Sequence, residues 1–485
     1  MALLNVLQSG KSGMTTAKAG IATSGHNIAN ANTEGYSRQR VQTEAVITKQ
    51  LAGQGGPYTG EGSKISRIER INDDYINRQL REGHRDMAYQ EEKGTSLHQV
   101  EEVFNEMNGD GLNRITAQFF NDFRKLSNDP SSEAIRQAVR ESSQAMVNDF
   151  HRLRGEVEAI RGHIDTRIDG NMRELNSQAE DLAKLNLQIR KAETQGDEAN
   201  DLQDKRDQLL QSMNKFVDLA IHKDNLGMVN VEVRGLGPLV TGPTVTQFHV
   251  GRAPAVTEEP NRLNNNETRE SSENSLQISR SEYGNQYVTS GFQGGRVGAL
   301  IETRDKTVSM VLERLDQLAF GIANAVNEVH EQGFTADGQT GISYFKNITD
   351  VAGASQMLGL SDEVKGSVSN IAVALEHNAP GDNRNALAIA NIQNSRLMNN
   401  GHTSVDDFYN SIVSDVGVAA ARNAEALGQQ KNILTQLTKV RDQVSGVSID
   451  EETTNLMQFQ HAFDASAKVI KVADEMMDTI LKLRG

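Results

Sequence analysis

Cysteine and tryptophan are absent from the 485 residues, and aromatics make up only 5% of them. Without cysteine there are no disulfides, thiolate metal sites or cysteine nucleophiles. With so few aromatics and a mean hydropathy of -0.54, elongated helix-rich units are expected rather than large compact cores. The length suits about three domains. No apolar run approaches the ~18 residues of a spanning helix, so no membrane partner is expected. The start, Met-Ala-Leu-Leu-Asn, lacks a basic region followed by a long apolar stretch, and no cleaved secretory signal is expected. The net charge is -15 with no Lys/Arg block, which makes nucleic acid a poor partner because nothing would neutralise a run of phosphates.

Signatures of chemistry are missing as well. His330-Glu331 resembles the start of a zinc-protease motif, but Phe334 stands where the second ligand must be. Asp337-Gly338 lacks the other carboxylates of a calcium loop and reads as a turn. The glycines from Gly53 to Gly62 lack the Gly-Lys-Ser/Thr ending of a phosphate loop and read as a breaker-rich loop. No nucleophile elbow or dinucleotide fingerprint occurs. The chain is read as a non-enzyme with no catalytic, cofactor or metal residues.

What is present is mostly helical periodicity. Residues 68–90 and 95–107 read as two charged helices. Leu112, Ile115, Phe119, Phe123 and Leu126 mark another that stops at Asn128-Asp129, with Pro130 in the first turn of the next. That next helix is the longest: apolar residues recur every three or four positions from Val147 to Ile189, a rod tens of Å long. One more helix follows from Ala199 to Phe216. Val229, Val231 and Val233 alternate, and pieces at 239–240, 245–250, 276–278 and 287–288 complete a small antiparallel β unit, with 261–274 as an exposed loop. Helix resumes from Gly298 past His330, 333–369 is mixed, and 386–397 and 405–444 are helical.

Both ends carry a seam. Leu3, Leu7, Gly10, Met14, Ala17, Ile21, Ser24 and Ile28 alternate at steps of four and three, with Thr16 and Thr23 off the stripe. Leu456, Phe459, Phe463, Ser466, Ile470, Ala473, Met477 and Ile480 do the same behind a Ser448–Glu451 capping box. Residues 1–60 carry five basic groups against two acids, and residues 445–485 seven acids against four bases, so the ends should attract and pair as a stalk. Gly10, Gly13, Gly20 and Gly25 cost the first helix roughly 3–4 kcal/mol relative to alanine, so alone it should be mostly disordered. After it comes a turn in which Asn30, Asn32 and Gly35 suit left-handed backbone.

The stretch Asn27-Ile28-Ala29-Asn30-Ala31-Asn32-Thr33-Glu34-Gly35-Tyr36-Ser37-Arg38-Gln39 resembles the signature of bacterial flagellar axial proteins, namely rod, hook and hook-associated proteins. Its Tyr-Ser-Arg-Gln ending is most similar to the hook-associated protein 1 (FlgK) family of hook–filament junction proteins. Further blocks resemble the family in order: Ile68-Glu69-Arg70, Asp129-Pro130, Asn200-Asp201-Leu202 with Lys205-Arg206-Asp207, Ala325-Val326-Asn327, Gly381-Asp382-Asn383, and Ser448-Ile449-Asp450-Glu451-Glu452 with Asn455-Leu456. Residues 243–285 match least.

The resemblance implies a structural subunit of the flagellum, exported unfolded through the flagellar type III channel and folding its terminal helices on assembly. The implied partners are further copies in a ring, the hook protein, the second junction protein and an export chaperone at the C-terminal helix. The alternatives are a hook or rod axial subunit or, from another class, an enzyme with its site in 243–285. The expected fold is mainly α with a small inserted β domain, elongated, its terminal helices paired like a coiled coil. The expected divisions are 1–64 (axial core, N-terminal part), 65–217 (rod, first half), 218–296 (β-rich outer insert), 297–444 (rod, second half) and 445–485 (axial core, C-terminal helix). Assembly contacts are expected at Asn27, Asn30, Thr33, Gly35, Tyr36, Arg38, Gln39, Leu456, Phe459, Gln460, Phe463, Ser466, Ile470 and Met477, with Tyr36, Arg38 and Gln39 facing neighbouring subunits.

Overall fold

The computed structural model describes residues 2–47, 60–104, 111–224, 227–252, 276–280 and 289–484. Helix α1 (Ala2–Ala29) leads into an antiparallel hairpin, β1 (Gln39–Ile47) and β2 (Gly60–Arg70). Helices α2 (Asp74–Val103), α3 (Leu112–Asn128), α4 (Glu133–Thr194) and α5 (Asn200–Phe216) follow. The expected helices 68–90 and 95–107 are therefore corrected to one. Ile68–Arg70 pair in β2, and the Asp73 carboxylate caps α2 by accepting from the amides of Tyr75 and Ile76. Gly94 does not break the helix, because its missing side chain leaves room for Asn423, which donates to the Gln90 carbonyl.

The 62 residues of α4 make a rod about 90 Å long. Its apolar stripe is buried from Val139 through Phe150, Val157, Ile164, Ile168, Leu175 and Leu182 to Ile189. Ser132 is its cap, accepting from the Ile135 amide. Pro130 thus lies in the preceding turn and not in the helix, because the cap is two residues beyond it.

The β unit begins earlier than its valine alternation suggests. Strands β3 (Leu219–Lys223), β4 (Val229–Val233), β5 (Gly237–Thr241) and β6 (Thr244–Val245) form one antiparallel sheet in that order, and β7 (Phe248–Arg252) pairs with β8 (Leu276–Arg280). Two asparagines of α4 fasten it to the rod. Asn186 donates to the carbonyls of Val229 and Gly242 and accepts from the Val229 amide. Asn176 exchanges the same kind of pair with Phe248. The loop expected at 261–274 and the strand at 287–288 lie outside the described residues.

The return half comprises α6 (Gly295–Glu302), a π-helical turn (Thr303–Val308), α7 (Ser309–Gln332), short helices α8 (Ala354–Met357), α9 (Asp362–Gly366) and α10 (Arg384–Asn391), then α11 (Val405–Ser445) and α12 (Ile449–Arg484). The buried Arg304 of the π turn reaches Asp165 on α4 at 3.0 Å. Three expected boundaries fall inside elements: 64/65 cuts β2, 296/297 cuts the first turn of α6, and 444/445 cuts the last residue off α11.

At the far end of α4, Phe119, Phe120, Phe123, Tyr344 and Phe345 pack edge to face. His330 lies buried beside Tyr344. Its Nε2 accepts from the Ala372 amide at 2.9 Å, so the ring proton sits on Nδ1 and is donated to the Ile342 carbonyl at 2.6 Å. The zinc-like His-Glu pair is thus a core tether. Burial pushes the imidazole down to about 4. The unfolded chain binds this proton near pH 6.5 and the folded chain only near pH 4, so the stability due to neutral His330 is present above pH 6.5 and is lost as the pH falls towards 4. Urea unfolding at pH 7 and pH 4.5 should show a loss roughly 2–3 kcal/mol larger for the native chain than for His330→Gln, whose amide can replace both bonds. Equal losses in the two proteins would contradict this.

Candidate assembly site at the base of the terminal helix pair

Helices α1 and α12 pack antiparallel, and their register is set by missing side chains. A Cβ built at Gly10 would lie 2.8 Å from Ile470, at Gly13 2.7 Å from Ser466 and at Gly20 2.5 Å from the Phe459 ring. Each glycine is a notch for one α12 side chain. The buried positions of α1 are small or polar: Gly10, Ala17, Gly20, Thr23, Ser24 and Asn27. Thr23 is therefore corrected to the buried side, while Leu3, Leu7, Met14, Ile21 and Ile28 are only half-buried. The reason is that α1 is gripped twice. Its other side meets the hairpin, where the Ser63 amide donates to Ser12 and the Ser63 and Thr16 hydroxyls bond at 3.1 Å.

On α12, Leu456, Phe459, Phe463, Ser466 and Ile470 are half-buried, whereas Gln460 and Met477 are exposed. Met477 and Ile480 thus leave the expected seam, since they lie level with the first residues of α1, where the pair runs out.

At the other end of the pair the chain turns. Thr33 bonds the Asn30 side chain, Asn30 bonds the His26 carbonyl, and the Tyr36 amide closes on Thr33. Gly35 takes the left-handed conformation (φ 77°) and lies against Gln208, which donates to the Glu34 carbonyl. Asn30 and Asn32 do not take it, because one left-handed residue suffices to reverse the chain.

Asn27 is the centre of the site. Its side chain is 1% exposed and all four of its hydrogen-bonding positions are filled. Nδ2 donates to the Gln39 carbonyl (2.9 Å) and to Glu452 Oε2 (3.0 Å); Oδ1 accepts from the Tyr36 hydroxyl (2.7 Å) and the Gln39 amide (3.0 Å). Glu452, 2% exposed, holds Arg38 through its other oxygen at 2.7 Å. Arg38 also reaches Glu451 at 2.8 Å, so Glu451 spends its carboxylate there while its amide donates to Ser448. The Tyr36 hydroxyl, having given its proton to Asn27, accepts one from His26 Nδ1 at 3.0 Å. Burial, then the charges of Asp201, Asp204 and Glu452, push the phenol well above its ordinary value and keep it a donor.

The helical body closes the site from behind. Gln39 donates to Asp201, the Ser37 amide to Asp204, and Arg70 bridges Asp204 (2.6 Å) and Asp207 (3.0 Å). From α11, Arg441 donates to the Tyr36 carbonyl, and the Arg38 amide donates to Ser445. Tyr36, Arg38 and Gln39, expected to face neighbouring subunits, make bonds inside the chain through the Tyr36 hydroxyl, Arg38 Nε and Nη1 and Gln39 Nε2. Glu452, Asp201, Asp204, Asp207 and Arg441 were missed as partners, because nothing local in the sequence links positions up to 425 residues apart. Among the described residues no group of three or more His, Cys, Asp or Glu is placed to hold a metal. Chemically the arrangement ties segments together; no reacting group is poised in it.

Residues 97–345 match the family described as "Flagellar hook-associated protein FlgK helical domain", and residues 442–483 match "Flagellar basal body rod FlgEFG protein C-terminal". The chain is similar to flagellar hook-associated protein 1 of Bacillus subtilis (strain 168), with 30% identity over 99% of this chain and 98% of that one. It is similar to flagellar hook-associated protein 1 of Escherichia coli (strain K12) at 25% identity over 99% and 100%. In fold it resembles the solved flagellar hook junction protein FlgK from Burkholderia pseudomallei, with a TM-score of 0.65, 16% identity, and cover of 76% of this chain and 100% of that one.

Gly20→Leu should force Phe459 out of its notch and part α1 from α12, at a cost of about 1–3 kcal/mol. Gly25→Leu, with no other atom within 4 Å of its Cβ, serves as the control. Tryptic cleavage after Lys11 and Lys18 should rise sharply in the first variant only; equal cleavage in both would show that the notch does not set the packing.

Proposed function

The chain belongs to the FlgK family of flagellar hook-associated proteins, and from that premise we propose that its terminal pair is the part that assembles at the hook–filament junction. The protein is an exported structural component of the bacterial flagellum. Among its described residues no helix is long and apolar enough to cross a membrane. The match across 97–345 favours a junction subunit over a hook or rod subunit, with which it shares its C-terminal match.

The observation that carries the assembly reading is the apolar surface left on the terminal pair. Leu4 and Val6 on α1, and Val469, Val472, Met476, Ile480 and Leu481 on α12, are 42–67% exposed. Exposed apolar side chains gathered at one end of a helix pair suit a protein contact. Further copies of the chain in a ring, the hook protein and the second junction protein would cover it. An export chaperone would shield the α12 side beforehand, and the glycine-weakened α1 suits passage as an unfolded chain that orders on assembly. In this reading the 65–217 and 297–444 segments form the rod, 218–296 the outer insert, and 1–64 with 445–485 the axial core. Leu456, Phe459, Phe463, Ser466 and Ile470 build the pair, Gln460 and Met477 reach outward from it, and Asn27, Asn30, Thr33, Gly35, Tyr36, Arg38 and Gln39 fix the angle at which it leaves the rod. The role is structural and uses no cofactor or metal.

Removing residues 449–485 and expressing the remainder in flagellated cells that lack the native copy tests the reading. The expected outcome is hooks without attached filaments and loss of motility. Normal filaments on such cells would contradict it.

A further inference from the structure

We propose that the exposed methionines of α12 are an oxidation site, at which peroxide turns an apolar contact face into a polar one that no longer assembles. The proposal rests on the reading that the terminal pair is the part that assembles.

The chain has neither cysteine nor tryptophan, so its 14 methionine thioethers are its most readily oxidised groups. The fold sorts them by access. Met146, Met172, Met213, Met228 and Met398 are buried, and Met14, Met87 and Met310 are half-buried. Among the described residues four methionines are exposed: Met357, and on α12 Met457 (49%), Met476 (53%) and Met477 (37%). Three of the four thus lie on one helix, and that helix carries most of the apolar surface assigned to assembly.

Their surroundings make oxidation consequential. Ala465, Val469, Val472, Met476 and Ile480 recur at steps of three or four, all exposed, on the side of α12 away from α1. Met457 lies about two turns before Ala465 on the same side. A thioether is soft and apolar and moulds itself to a partner surface. Its sulfoxide is polar and chiral, and its oxygen needs a hydrogen-bond donor once the face is covered. Set among valine, alanine and isoleucine, that oxygen would be stranded in a contact built for apolar groups.

The step is a two-electron oxidation. A sulfur lone pair attacks one oxygen of hydrogen peroxide, and the S–O bond forms as the O–O bond breaks. The departing hydroxide takes the proton of the transferred oxygen and leaves as water. Sulfur is oxidised and peroxide reduced. The three thioethers lie outside the chain's own core, so the folded monomer persists and only the surface it offers to the next subunit changes.

The test treats the purified full-length chain with hydrogen peroxide, removes the peroxide with catalase and weighs the tryptic peptides. Met457, Met476 and Met477, in peptides 442–468 and 472–482, should each gain about 16 Da about tenfold faster or more than Met146, Met172 and Met213. The labelled chain is then added to hooks isolated from cells that lack the native copy. Oxidation should weaken its binding to hook ends about tenfold or more while leaving helix content unchanged. A variant with Leu at all three positions (Met457→Leu, Met476→Leu, Met477→Leu) keeps side-chain volume and should bind like the native chain both before and after peroxide. Equal oxidation rates at exposed and buried positions, undiminished binding of the oxidised chain, loss of its helix content, or loss of binding by the treated Leu variant would each overturn the proposal. Failure of the untreated native chain to bind hook ends would instead overturn the assembly reading, and the proposal with it.

Discussion

The Glu452 side chain is 2% exposed, and its carboxylate takes the Arg38 guanidinium on one oxygen and the Asn27 amide on the other, with Asn455 of its own helix at 3.5 Å. Arg38 and Asn27, the two nearer partners, come from the opposite end of the chain, so the guanidinium and the amide that compensate this carboxylate are in place when the end of α1 is. Asn27 extends the constraint to the strand that follows it, since the same side chain also holds both backbone groups of Gln39. Residues 36–39 are then clasped by α5 through Asp201 and Asp204 and by α11 through Arg441 and Ser445. One polar network thus joins the base of the terminal pair to α5 and α11.

The rest of the chain holds that network in position. Helix α4 runs the length of the rod, and α5 turns back from its end to present Asp201, Asp204 and Asp207 on one side. Close helix pairing recurs in one form: Gly83 and Gly94 of α2 receive Leu434 and Asn423 of α11, as Gly10, Gly13 and Gly20 of α1 receive residues of α12. Glycine notches let long helices approach without large aromatic cores, which suits a chain with so few aromatics. The β unit is carried on asparagine side chains and leaves the rod undisturbed.

Much of this was legible in the sequence, and the gaps have physical causes. The α4 stripe, the capped start of α12, the pairing of the ends and the turn at Gly35 all follow from periodicity and residue chemistry. The buried side of α1 was misplaced because hydropathy cannot see glycine, threonine and asparagine as interface residues. Pro130 and the break at 90–95 were misread because Ser132 and Asn423 supply a cap and a filler that local patterns do not announce. The bonds that Tyr36, Arg38 and Gln39 make inside the chain were not legible, because their partners near 200 and 450 are brought to them only by the fold. The blocks resembling the family around 200–207 and 448–452 contain those partners; the resemblance marked them without saying what they touch.

The central claim is that Asn27 and Glu452 act as one unit. A double-mutant cycle of Asn27→Ala and Glu452→Ala, read from denaturant unfolding of the full chain, measures it directly. A coupling energy of about 2 kcal/mol or more is predicted, since either substitution alone strands the other's buried groups. Additive effects, with coupling below about 0.5 kcal/mol, would contradict it.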